Sequence, residues 1–229
     1  LEALGVDFVL TPDDLAARGN FCTVDETGNL TDRRAGRIPT ELSREYLKAL
    51  KAIRLEGFET FLEPVKEHRF VFVLRGPGLD DRLTDSDPQR TGIPPLPVQA
   101  LAPVAERSAN LLNTFIEKAR HLLADRSPAN MITLRGFARY PFLPKYQDIF
   151  KLKAAAVAVN AMYRGVARLA GMTPLPVNGE SAADEFSTLE RYWNDFDFFY
   201  MHFKRTDTAG EKGDYEQKVR AIEEVDACI

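Results

Sequence analysis

The stretch Lys153-Ala154-Ala155-Ala156-Val157-Ala158-Val159, with helical periodicity resuming from Ala161 to Ala170, decides the fold. A short apolar run closed by the polar Asn160 is far below the ~20 residues a bilayer span requires, and it reads as a strand buried on both faces. Downstream the pattern keeps alternating: a short strand near Leu175, a helix from Glu185 to Asn194, a strand from Asp197 to Phe203 and a helix from Asp214. Such βαβα order predicts a parallel, doubly wound sheet. The last helix, with Val219, Ile222 and Val225 as its apolar stripe, meets no Gly, Asn or Pro before Ile229, so more sheet is expected to follow.

Upstream the text changes character. Asn20–Val24 and Leu30–Asp32 flank a turn at Gly28-Asn29 and read as a hairpin. A helix is expected from Thr40, a plausible N-cap after Pro39, carrying Leu42, Tyr46, Leu47, Leu50 and Ile53 until Gly57 stops it. Phe58–Val65 alternates as a strand does, whereas Arg69-Phe70-Val71-Phe72-Val73-Leu74 is apolar on both faces and belongs inside a sheet. Residues 76–103, rich in Gly, Pro and Asp, predict a long functional loop. A second helix over 104–124 and a strand from Met131 to Leu134 follow, and the strand ends in Arg135-Gly136 as the earlier one ends in Arg75-Gly76.

The composition is that of an ordinary globular protein, 45% hydrophobic and 28% charged over 229 residues. A net charge of −4 argues against a nucleic-acid or anionic-membrane surface, both of which need a basic face. The two cysteines, Cys22 and Cys228, make no motif and suggest a reducing compartment, with cytoplasm the default. Triads of serine, histidine and aspartate, zinc clusters, phosphate loops and dinucleotide fingerprints are all missing, and Ser181 has no evident partner.

Local basic clusters remain, and they suit a small anion. Arg33, Arg34 and Arg37 sit within one turn of chain in Asp32-Arg33-Arg34-Ala35-Gly36-Arg37, and His68-Arg69, Arg75 and Arg135 stand at strand ends. Planar guanidinium forks at glycine-backed strand ends suit phosphate, though Arg75 and Arg135 can equally pair with Asp80, Asp81, Asp85 or Asp87. Asp207 follows a strand of the parallel sheet, where ligands collect, and Glu211 lies four residues on. Together they can ligate a divalent metal or simply serve a helix N-terminus.

These residues carry a resemblance. Phe21-Cys22-Thr23-Val24-Asp25-Glu26-Thr27-Gly28-Asn29 leading to the Arg33–Arg37 cluster is similar to the archaeal-type, 2,3-bisphosphoglycerate-independent phosphoglycerate mutases. So are His68–Gly76, Asp85-Ser86-Asp87-Pro88, Leu152–Ala156 and Tyr163–Met172, in the same order and over nearly the whole chain. The resemblance implies a phosphatase-like α/β domain of the alkaline phosphatase superfamily, interrupted by an inserted α+β domain. Residues 1–148 would then be the inserted substrate-binding domain, and 149–229 part of the doubly wound, alkaline-phosphatase-like parallel sheet.

The resemblance further implies a role for each candidate. Arg33, Arg34, Arg37, His68, Arg69, Arg75 and Arg135 would grip 3-phosphoglycerate or 2-phosphoglycerate, Lys153 would lie near the transferred phosphoryl, and Asp207 would be a metal ligand. Family chemistry passes a phosphoryl group through a serine with two divalent ions, Mn or Mg. That serine is expected upstream of Leu1 and further ligands downstream of Ile229, so the chain alone is expected to be inactive and to hold no metal. Glu211 stands where the family usually has histidine, and Gln89 where histidine often follows Asp-Pro. A glutamate there weakens any preference for softer metals. Two other readings compete: a superfamily relative acting on another small acid or alcohol, such as a homoserine-kinase-like enzyme, and a non-catalytic protein that binds a phosphorylated ligand.

Overall fold

The computed structural model describes residues 1–229, which form two compact units, one of residues 9–141 and one of residues 1–8 with 142–229. The division falls after Pro141 rather than after residue 148, and the first eight residues go with the C-terminal unit.

The 9–141 unit is an antiparallel sheet backed by helices. Its strands are β1 (Asp14–Val24), β2 (Leu30–Asp32), β3 (Glu59–Lys66), β4 (Arg69–Arg75) and β5 (Met131–Arg139), in the order β2-β1-β4-β3 with β5 on the other edge of β1. Helices α2 (Thr40–Leu50) and α3 (Glu106–Leu123) contribute Leu47, Leu50, Leu112, Phe115 and Leu123 to one core with Leu15, Phe21, Phe70 and Phe72. β4 lies between β1 and β3 and is buried from Phe70 to Leu74, as its two-sided apolar sequence requires.

Sequence patterning and structure part at the ends of elements. β1 starts at Asp14, six residues before the hairpin expected at Asn20, because this segment pairs with β4 from Asp14 and with β5 from Leu15, long-range ladders that no local pattern announces. β5 runs past Arg135 through Gly136, whose φ of 65° needs a glycine, to Arg139. α2 stops at Leu50, not Gly57, and Ile53 and Leu55 turn inward to the core. Thr40 is its first residue rather than its cap, and its hydroxyl instead accepts a hydrogen bond from the Glu67 N–H at 2.9 Å.

The second unit holds a three-stranded parallel sheet of order β7-β6-β8, from β6 (Ala154–Ala158), β7 (Thr173–Pro174) and β8 (Phe198–His202). Around these run α1 (Glu2–Gly5), α4 (Tyr146–Phe150), α5 (Ala161–Leu169), α6 (Ala182–Arg191), α7 (Lys204–Glu211) and α8 (Tyr215–Asp226). The alternation from residue 153 onward therefore does build a parallel, doubly wound arrangement. Ser181 proves to be the N-cap of α6, in a capping box with Asp184. α7 occupies residues expected to be loop.

One close approach fixes the larger core. Gly19 of β1 faces Phe70 of β4, and a Cβ there would stand 2.1 Å from the Phe70 ring. Phe70 is wholly buried and tilted against Phe21 at 5.1 Å, so it has no room to yield. Gly19→Ala is expected to cost about 1–3 kcal/mol of stability, the range for overpacking a tight core, read as a lower urea midpoint.

Candidate functional site

The 9–141 unit sorts its cations into three environments. At one end of β4, Arg75 is neutralised: its Nε and Nη2 donate to the Asp14 carboxylate at 2.6 and 2.8 Å, and Nη2 also reaches the Val9 carbonyl. The guanidinium lies over the Phe61 ring as well. Asp14 is inaccessible to solvent; burial raises its pKa, but the hydrogen bonds and charge of Arg75 together with the hydrogen bonds of Thr11 bring it below the usual carboxylate value. Arg75 thus serves the fold here, apart from the other sequence candidates.

At the opposite end of β4 the cations are uncompensated. The turn Arg34–Arg37 is drawn tight by Asp32, whose oxygens accept from the backbone N–H of Arg34 at 2.7 Å and of Gly36 at 2.6 Å. Ala35, Gly36 and Arg37 all take positive φ, and Ala35 is anchored in the core. Strained backbone of this kind persists only where its surroundings hold it. With Asp32 committed to the backbone, the exposed Arg34 and Arg37 form no ion pair. Arg69 opens β4 opposite Asn20, and its buried Nε has no hydrogen-bond partner.

His68 lies among these arginines and is 7% exposed. Burial first, then the charges of Arg69, Arg34 and Arg37, push its pKa down to about 4 against a weak opposing pull from Asp32. The imidazole is therefore neutral at pH 7, its Nδ1 unpartnered, with Glu67 3.9 Å away. A neutral ring beside three cations can offer a hydrogen bond to an anion without adding to the repulsion among them.

Between these extremes stands a pair that the sequence left open. Arg33 donates from Nε and Nη2 to the two oxygens of Asp87 at 2.9 and 2.7 Å, and Arg135 Nη1 approaches the same carboxylate at 3.5 Å. Asp87 is held there by the docking of its own segment on β5. Asp85 accepts from the Gly136 N–H at 2.7 Å, and Ser86 exchanges hydrogen bonds with the Leu134 N–H and C=O. Sequence pattern gives Asp85-Ser86-Asp87-Pro88 no such anchoring role. The signal for it is three short polar side chains before a proline, beside a strand paired on one edge only.

The second unit holds the remaining candidates. Lys153 Nζ lies over the Phe196 ring at 4.7 Å, and its backbone N–H donates to Asp197. At the carboxyl end of β8, His202 stacks on Tyr163 and has a buried, unpartnered Nδ1. It borders a cavity of about 460 Å³ with Thr206, Asp207 and Ile222. Asp207 lies in the first turn of α7, paired with Lys204, and Glu211 is 3.9 Å from the same ammonium. No three side chains of the metal-ligating types converge here or elsewhere in the chain. With one ammonium already serving both carboxylates, these residues do not by themselves fit a divalent ion, and no chemical step follows from them.

The profile of a family described as 2,3-bisphosphoglycerate-independent phosphoglycerate mutase matches residues 1–130. Proteins described as probable members in a Thermotoga species and in Thermus thermophilus are 45% and 43% identical across this whole chain. The chain spans 57% of the length of each of these curated relatives. Among solved structures, a cofactor-independent phosphoglycerate mutase of Thermoplasma acidophilum superposes with a TM-score of 0.67 at 29% identity, over 99% of this chain and 62% of its own. A Pyrococcus horikoshii protein does so with a TM-score of 0.74 at 25% identity, over 99% of this chain and 56% of its own.

The depressed His68 pKa makes stability pH-dependent with a definite sign. A histidine neutral in the fold but free to ionise when unfolded contributes stability above pH 6.5 that is lost as pH falls toward about 4. His68→Gln is expected to flatten that acid limb in urea titrations of the chain. Glu185, 3% exposed with an unpartnered oxygen, behaves oppositely, since burial and then Asp184 raise its pKa to about 7. Its contribution is lost as pH rises from 4.5 to about 7, so Glu185→Gln is expected to stabilise the second unit at pH 8 and to matter little at pH 4.

Proposed function

Because the chain belongs to the 2,3-bisphosphoglycerate-independent phosphoglycerate mutase family, we propose that it is part of an enzyme interconverting 3-phosphoglycerate and 2-phosphoglycerate. In this reading the 9–141 unit is the inserted domain that grips the phosphorylated three-carbon acid, and the 1–8 and 142–229 unit is part of the phosphoryl-transfer domain. The observation that carries it is the uncompensated set Arg34, Arg37 and Arg69 gathered about a neutral His68. Concentrated like charge of this kind is unfavourable in a fold unless an anion relieves it. A phosphate dianion with a nearby carboxylate is an anion of the right charge, and guanidinium forks match the oxygens of both.

Arg33 and Arg135 extend the same grip with reduced net charge, since Asp87 lies between them. Arg75 takes no part, being occupied by Asp14, and the Lys153 ammonium of the second unit is engaged by the Phe196 ring. Asp207 would contribute one ligand to a Mn or Mg site completed by residues outside this chain. A cytoplasmic setting suits this reading, and no helix is long and apolar enough to cross a membrane.

Titration calorimetry of the chain with 3-phosphoglycerate tests the reading. Weak binding is expected, fading as salt is raised, and Arg37→Ala is expected to weaken it by about tenfold, the lower end of a charge-assisted contact. A folded chain that gives no salt-dependent heat would sink the idea.

A further inference from the structure

Asp87 is a carboxylate placed inside a surface that otherwise attracts anions. Its side chain is 1% exposed, while the guanidiniums on either side, Arg33 and Arg135, are each 31% exposed. A buried acid between two cations would be expected to repel any anionic ligand that approaches them. The way it is held argues for another purpose.

Asp87 is held by contacts independent of the arginines. Its Oδ1 accepts from the Gln89 N–H at 2.8 Å, and Gln89 takes a positive φ of 60° to deliver that bond. Ser86 is locked to Leu134 through its backbone N–H at 2.8 Å and through its hydroxyl, and Asp85 to Gly136. The carboxylate is thus part of a rigid loop docked on β5. Burial raises its pKa, but the contacts from Arg33 and Gln89 with the charges of Arg33 and Arg135 together bring it below the usual carboxylate value.

Against that fixed anion Arg33 is gripped by both prongs, Nε and Nη2, which leaves Nη1 uncommitted. Arg135 meets the same Oδ2 at 3.5 Å and retains its donors. Arg33, free to wander on an ordinary surface, is held in one orientation, and Arg135 stands at ion-pair distance from the same carboxylate, so the three groups carry one net positive charge. Ordering a guanidinium before binding removes a cost the ligand would otherwise bear.

We propose that Asp87 is a positioning residue of the phosphoglycerate site, acting through Arg33 and Arg135 and not through contact with the ligand. This rests on the reading of that surface as a grip for a phosphorylated acid. It carries a consequence opposite in sign to simple charge attraction: removing a negative charge from the site weakens anion binding. An asparagine amide in place of the carboxylate would point N–H groups at N–H groups, and the guanidiniums would part.

The test compares the 229-residue chain with its Asp87→Asn variant. In titration with 3-phosphoglycerate the variant is expected to bind about tenfold more weakly, the scale of one charge-assisted contact, although its site is more positive by one charge. Equal or tighter binding would overturn the proposal. Nitrogen-15 spectra of the arginine Nε–H groups give a reading independent of any ligand. Arg33 Nε–H is expected to exchange slowly with water in the unsubstituted chain and fast in the variant, and equal rates would overturn the proposal. Should Asp87→Asn fail to fold, Arg33→Lys keeps both the charge and Asp87 but loses the two-pronged contact. A similar loss of affinity supports the proposal and undiminished affinity overturns it. If the unsubstituted chain binds no phosphoglycerate, the functional reading falls by itself, and the Arg33 exchange rates still decide whether Asp87 orders the arginines.

Discussion

β1 is hydrogen-bonded along both edges, and its register decides which charges meet. Asp14 lies opposite Arg75, Asn20 opposite Arg69 on one edge and Thr133 on the other, and Arg18 opposite Arg135. From Asp14 to Asn20 the strand rises about 20 Å at ~3.4 Å per residue, so Arg75 and Arg69 are kept at opposite ends of one ladder. A slip by one residue would turn Leu15, Ala17 and Phe21 away from the core, which is why apolar packing holds the register firmly. The Gly19–Phe70 approach adds a second lock at the middle of the strand. The electrostatic layout is therefore a by-product of core packing, and the sheet cannot rearrange its arginines without losing its interior.

Much of this architecture was legible from one-dimensional pattern. β4 announced its central position by being apolar at every residue between its terminal arginines, α3 by its helical stripe, and the parallel sheet by alternation after residue 153. What was not legible depended on partners distant in sequence. Asp14–Gly19 has no strand signature of its own, with two alanines, an arginine and a glycine, and is a strand because β4 and β5 flank it. Ser181 seemed isolated until Asp184 closed the capping box, although the serine with an acid three residues on was itself a readable signal.

The candidate site divides along the same line. Sequence located the cations and offered Asp87 among four partners for Arg135, but it did not offer Asp14 for Arg75 or Asp87 for Arg33. Arg75 and Arg135 presented the same glycine-backed strand end, yet one is bound by Asp14 from 61 residues away and the other shares Asp87 with Arg33. For Asp207 and Glu211 the four-residue spacing suited a metal, and it also places both on one stripe of α7 with Lys204. Only the observation that this segment is helical, not loop, explains why an ammonium lies where a cation was expected.

The difference between Asp87 and His68 shows how one surface can concentrate guanidiniums and still fold. Where Arg33 and Arg135 come together, a buried carboxylate offsets their repulsion permanently. Around Arg34, Arg37 and Arg69 no carboxylate forms an ion pair with a guanidinium: Asp32 accepts from the backbone of the turn, and Glu67 lies 3.9 Å from His68. The fold limits the charge there instead, by burying a histidine that gives up its proton and by leaving two of the three arginines exposed to water, where repulsion is weakest. Permanent compensation favours a fixed geometry, and incomplete compensation favours attraction. The 9–141 unit holds both kinds of charge environment.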